Sequence, residues 1–198
     1  WITANSDSHV HYTEGGIDFW PGEYAKTYVY AIKEHADILD GIRHGRVFVT
    51  TGDLVSELYV TVSQASGQAA IGGELIVVTD EALEVVIRFK DPDTPNAAGR
   101  NPLVARVDLI VGEVTGPGQE PHRDEHKLVR VVKRFTNEDW QKEGPYTVIR
   151  HSLKLDEPSY LRVRGTNLFT QLEPEPDEPG EDPWSDLWFY SNPVFVRR

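Results

Sequence analysis

From Arg46 onward the chain runs in a two-residue rhythm. Apolar and polar side chains alternate through Leu58-Tyr59-Val60-Thr61-Val62, Leu83-Glu84-Val85-Val86-Ile87-Arg88-Phe89 and Ala105-Arg106-Val107-Asp108-Leu109-Ile110-Val111. The pattern returns in residues 128–135, 146–150, 160–164 and 194–196. Successive side chains of an extended chain point to opposite faces, so each segment predicts a strand with one apolar and one polar side. Gly67, Gly72-Gly73, Asp91-Pro92-Asp93, Gly116-Pro117-Gly118, Gly144-Pro145 and Glu157-Pro158 stand between them, residues that favour turns through positive or fixed φ. Roughly seven or eight strands at this spacing predict a mainly β fold, an antiparallel immunoglobulin-like β-sandwich over residues 46–198. The disulfide of antibody domains is excluded, since the chain has no cysteine.

Residues 1–45 follow a different pattern. Trp1-Ile2-Thr3-Ala4-Asn5 reads as a strand, and Gly15, Gly16, Pro21 and Gly22 mark a loop. Ala36, Ile38, Leu39 and Ile42 then form the apolar stripe of a helix over 36–44, with Gly45 placed to end it. The chain therefore divides into a strand-loop-helix unit, 1–45, and the sandwich, 46–198. Thr136-Asn137-Glu138-Asp139-Trp140 is expected to add a helical turn, capped by Thr136 or Asn137, with Trp140 reaching the core.

Composition narrows the function. With 198 residues and 39% apolar side chains the chain can bury one substantial core. The net charge of −12 argues against nucleic-acid binding, which requires Lys and Arg to neutralise phosphates. Much of that acid lies in the Pro-rich run 173–183, Glu-Pro-Glu-Pro-Asp-Glu-Pro-Gly-Glu-Asp-Pro, which reads as a solvated loop. No apolar run is long enough to span a membrane. Absence of cysteine removes thiolate metal and redox chemistry but leaves the compartment open. A first residue of Trp and a complete lack of Met are what a piece of a longer polypeptide would show.

The chemistry concentrates in Asp7-Ser8-His9-Val10-His11. If the first strand continues through it, Asp7, His9 and His11 share one face with neighbours about 6.5–7 Å apart. A carboxylate oxygen beside imidazole nitrogens suits Zn, Mn or Fe, and ligand bonds of about 2 Å would let Asp7 and His9 reach one ion or a close pair. Polar residues at a strand end give the same short pattern. His122-Arg123-Asp124-Glu125-His126 also spaces two histidines four apart, but its Pro/Gly-rich flank favours a loop over the helix a zinc site would need. His35, His44 and His151 are expected to face solvent or support their surroundings.

Asn5-Ser6-Asp7-Ser8-His9, followed by the loop and by Gly45-Arg46-Val47-Phe48-Val49-Thr50-Thr51-Gly52, resembles the end of a PHP domain, the polymerase-and-histidinol-phosphatase family of metal-dependent hydrolases. The likeness is greatest to the carbaryl-hydrolase-like branch, in which a β-sandwich follows the catalytic barrel and closes on a Trp-Ser/Thr-Asn-Pro strand. Here Trp188-Phe189-Tyr190-Ser191-Asn192-Pro193-Val194-Phe195-Val196 takes that place, with Trp188 displaced by two residues, and Tyr160-Leu161-Arg162-Val163-Arg164-Gly165 is similar to the strand before it.

The resemblance implies that Asp7 and His9 are ligands of a divalent metal (Zn, Mn or Fe). Asn5 and Ser6 would be hydrogen-bonding partners of such ligands; the family motif needs only the Asp and the His, and His11 is an extra candidate through strand alternation alone. It implies a phosphoesterase-like activity, or carbamate and ester hydrolysis, on a small-molecule substrate, and a loss of activity in acid as the ligands protonate. In such barrels an opening His-x-His motif and further Glu and His ligands on earlier strands come before the final motif, which here stands at the start of the sequence, so the chain is expected to be a C-terminal portion, inactive alone. Its partner would then be the N-terminal barrel of the same polypeptide, and the sandwich would buttress it. A different class of function, a carbohydrate-binding or adhesion module, would instead use Trp140, Trp184, Trp188 and Tyr190 as a stacking platform.

Overall fold

The computed structural model describes residues 1–15, 18–116, 127–175 and 180–198. All seven alternating segments form strands: β3 (Glu57–Gln64), β6 (Leu83–Lys90), β7 (Arg106–Glu113), β8 (Val129–Phe135), β10 (Tyr146–Leu153), β11 (Ser159–Thr166) and β13 (Val194–Arg197). Six further strands carry weaker signals. They are β1 (Lys26–Val29), β2 (Val47–Thr50), β4 (Gly67–Ala70), β5 (Glu74–Ile76), β9 (Trp140–Glu143) and β12 (Trp188–Ser191), each of three or four residues, too short for alternation to show.

The strands make two sheets. One runs β4-β3-β6-β10-β9, antiparallel throughout. In the other, β11 pairs with β7 along one edge, and β8 continues outward from β7. Along its other edge β11 meets β12 and then β13; β2 and β1 extend from β12, and β5 joins β13 in parallel. The inward rows, Val60, Val85, Ile87 and Ile149 from one sheet and Leu109, Leu161, Val163 and Phe189 from the other, form one core at full burial. Removing each such side chain from water stabilises the fold by about 1.5–3 kcal/mol before chain entropy is counted.

β12 and β13 are one line of chain broken at Asn192-Pro193. Three steps along β11, from Arg164 to Leu161, face four on the opposite chain, from Tyr190 to Val194. Pro193 has no N–H for the ladder, and Ser191 Oγ takes the Val163 N–H at 2.9 Å instead.

The helix α1 (His35–Arg43) forms as the apolar stripe predicts. Gly45, at φ 67°, donates to Ile42 O at 3.1 Å and Arg46 N donates to Gly41 O at 2.9 Å, which together satisfy the last carbonyls.

Two expectations need correction. Residues 1–8 run without any ladder of their own, so the predicted first strand does not form, and Asp7 turns the chain at φ 45°. Side chains hold the segment instead: Asn192 Oδ1 accepts from Ile2 N at 2.8 Å, and Thr27 Oγ1 both accepts from Ala4 N and donates to Ala4 O at 2.8 Å. Residues 137–139 form a single hydrogen-bonded turn that does not extend into a helix. Thr136 N donates to Asp139 Oδ2 at 3.0 Å and Asp139 N to Thr136 O at 2.9 Å, while Trp140 packs edge-on against Phe89.

Candidate functional site

The segment carrying Asp7, His9 and His11 is a loop held at both ends. Below it, Phe19 stacks on Tyr24 with ring centroids 4.5 Å apart, and both meet the edge of Trp184. Tyr24 Oη donates to Pro183 O at 2.7 Å, tying the loop to residues 182–184 across the fold. The aromatic anchor supports a stretch whose own regular structure, among the described residues, is limited to the 3-10 turn Tyr12–Glu14 and the His11–Asp18 bridge.

Within the loop each imidazole has its own carboxylate. His9 N donates to Asp18 Oδ2 at 2.8 Å, and its Nδ1 stands 3.3 Å from the same oxygen. The bond from the His9 backbone, against the opposing effect of burial and with help from Val10 N–H and the His9 ring, holds the Asp18 carboxyl below its ordinary range. His11 is buried, sits 2.7 Å from Glu23 Oε2 through Nε2, bonds Thr13 Oγ1 through Nδ1, and stacks on Trp20 at 5.3 Å. Glu23 also accepts from Trp20 N at 2.8 Å, so His11 belongs to a closed structural pair.

Asp7 is exposed and has no hydrogen-bond or ion-pair partner among the described residues. His9 is likewise open, with its side chain 78% accessible. Asn5 and Ser6 line a cleft of about 630 Å³ with Pro21, Lys26 and Tyr28, and Ser8 Oγ is buried without a partner. Among the described residues no three His, Asp or Glu side chains converge closely enough to hold a metal ion. The two-residue rhythm predicted that Asp7, His9 and His11 would share a face. Asp7 and His9 are both outward, but the chain bends at His9-Val10 and His11 turns inward, bridging to Asp18.

Asp18 and Glu23 carried no periodic signal and were not legible in the sequence; only the loop's closure brings them to the histidines. His122–His126 lie outside the described residues, as do 176–179 of the acidic run. The described ends of that run are anchored: Glu173 pairs with Arg164 at 2.6 Å and Asp182 with Arg100 at 2.7 Å. His44 bonds back to Asp40 on α1. His151 is half-buried against Phe135, where burial and then Lys133 depress its pKa. Trp184 and Trp188 are buried, so those rings offer no stacking platform.

The outer face of the larger sheet holds a second polar group. Asp108 is buried between two arginines, accepting from Arg106 Nε at 2.9 Å and Arg164 Nε at 3.0 Å. Those guanidiniums then donate to Gln171 O and Leu172 O, and both lie near the Trp188 ring. Alternation correctly aims these residues outward, but the returning segment 169–173 covers them.

Comparison of the chain with protein-family models, curated proteins and solved structures returns no match.

Proposed function

We propose that the chain is the C-terminal part of a divalent-metal-dependent hydrolase of the PHP type. In this reading Asp7 and His9 are two of its metal ligands, residues 1–45 end its barrel, and an immunoglobulin-like sandwich buttresses the catalytic domain. One arrangement carries the proposal: the His9–Asp18 pair, two positions along the chain from the exposed Asp7 carboxylate, which has no partner among the described residues. A metal-binding imidazole works best with its second nitrogen held by a carboxylate, which fixes ring and tautomer. Asp18 stands where that partner is needed, leaving His9 Nε2 for an ion.

The donors fit the group. A hard carboxylate with a neutral imidazole suits Zn, Mn or Fe. Two ligands do not enclose an ion, so the others belong to the barrel of the same polypeptide, and this chain alone does not turn over substrate. When bound, the ion supplies Lewis acidity toward a phosphoryl or carbonyl oxygen of a small-molecule phosphoester, carbamate or ester. The chain's own residues do the positioning. Asp7 supplies negative charge, Asp18 orients His9 through its backbone N–H and its ring Nδ1, and Asn5 and Ser6 offer hydrogen bonds at a nearby cleft.

The test uses the full-length polypeptide, with metal content by mass spectrometry and hydrolysis of p-nitrophenyl phosphate and p-nitrophenyl acetate. Asp7→Ala and His9→Ala each lose metal and activity, and Asp18→Asn weakens metal binding by about 10- to 100-fold. Full metal occupancy and undiminished turnover in the first two variants would overturn the proposal.

A further inference from the structure

Arg162 on β11 differs from every other arginine on its sheet face. Arg106 and Arg164 are neutralised by Asp108, Glu173 and main-chain carbonyls, and Arg134 reaches Glu173. The Arg162 guanidinium has no hydrogen-bond acceptor among the described residues, and its Nε is buried without one. Leaving such a donor dry and unmatched costs about 1–3 kcal/mol, more for a charged group, unless something else supplies the acceptor. In a chain of net charge −12, a cation without an acid beside it is conspicuous.

Its surroundings define the missing acceptor. Arg162 lines an open cleft of about 620 Å³ whose other walls are Trp1, Tyr160, Pro193 and Phe195, with Ile2 and Asn192 completing it. No carboxylate is among these residues. Trp1 meets Phe195 edge-on at 6.2 Å and is pinned by its indole Nε1, which donates to Arg43 O at 2.8 Å. Tyr160 lies flat over Gly112 of β7, a position where any Cβ would collide with the ring. The aromatic walls are thus fixed by the fold, and the cleft matches the usual size of small-molecule sites, with apolar sides and one orienting charge.

We propose that this cleft binds a small organic monoanion, an aryl- or alkyl-carboxylate. The carboxylate pairs with the Arg162 guanidinium, and the apolar body lies between Trp1, Tyr160 and Phe195. Planar two-point pairing is what a guanidinium offers a carboxylate, and the flanking rings offer apolar surface to the rest of the ligand. The site stands apart from Asp7 and His9 and does not depend on the hydrolase reading.

The experiment is a calorimetric titration of the 198-residue chain with 4-phenylbutanoate and, in parallel, with the neutral 4-phenylbutanamide. The carboxylate binds saturably at one site, the amide at least about tenfold more weakly, and Arg162→Gln reduces carboxylate affinity by about 10- to 100-fold, as expected for losing a charged hydrogen bond. Arg162→Lys keeps the charge without the planar fork and falls between. Absence of saturable binding at millimolar carboxylate, equal binding of acid and amide, or full affinity in Arg162→Gln each overturns the proposal. The acid–amide comparison uses the unaltered protein, so its outcome does not depend on any variant folding.

Discussion

Arg164 on β11 donates its Nε to Asp108 Oδ2 on β7 at 3.0 Å, and both side chains are buried although they point away from the core. The pair clamps the segment after β11 back over its own sheet, because Arg164 also reaches Leu172 O and Glu173. A covered outer face turns an ordinary two-sided strand into one buried nearly throughout, as β7 is.

Asp108→Ala leaves Arg106 and Arg164 as buried charges without their shared partner. The expected loss is about 3–5 kcal/mol, the range for breaking a buried ion pair from one side. Urea unfolding measures it, and limited proteolysis of the folded variant should cut within 169–173 first. A loss below about 1 kcal/mol would mean that the charges rehydrate freely.

Glu57 joins two tyrosines, accepting from Tyr59 Oη at 2.9 Å and Tyr146 Oη at 2.8 Å. Those donors lower the Glu57 pKa, and the bond to Glu57, followed by burial, pushes Tyr59 up to about 12. A phenol whose folded pKa is raised contributes stability below its unfolded pKa of about 10 and loses it as pH climbs through the folded value. Ultraviolet titration should show Tyr59 ionising late, and Glu57→Gln should return it toward 10. An unaltered titration in that variant would assign the shift to burial instead.

Asp18 works at the opposite end of the scale. Its depressed pKa means the His9–Asp18 link is intact above the ordinary carboxylate range and lost as pH falls through the folded value. Hydrogen exchange at the His9 amide should therefore accelerate in acid beyond its intrinsic rate, and Asp18→Asn should remove that extra dependence. The carboxylate is a quarter accessible and holds a surface loop, so global stability should respond weakly.

Gly112→Ala places a methyl group into the Tyr160 ring. Overpacking of this kind costs about 1–3 kcal/mol. Denaturant midpoints should show that loss, and Tyr160→Ala in the same chain should recover part of it. Additive losses in the double variant would show that the two residues are not coupled.

The division between what was legible and what was not follows interaction range. Seven strands were readable because an extended chain writes its two faces into alternate residues, and the end of α1 was readable because Gly45 suits a left-handed corner. β5 was not: its three residues gain their meaning only from the parallel line of β13. The strand expected at residues 1–5 failed for the complementary reason. Its alternation survives as alternating exposure, but the neighbouring backbone offers no ladder, and Asn192 and Thr27 hold it by side chains.

The candidate sites divide in the same way. Asp7 and His9 were visible as chemistry, a carboxylate and an imidazole two residues apart, and both are exposed in step with the alternation of the segment. Asp18, Glu23 and the isolation of Arg162 were invisible, since each depends on which residues from elsewhere arrive beside it. By itself the sequence determined periodicity, turn positions and the inventory of ionisable groups, all properties of short stretches. Only the tertiary structure decided which charges found partners, because pairing depends on distances between segments that the chain order leaves free.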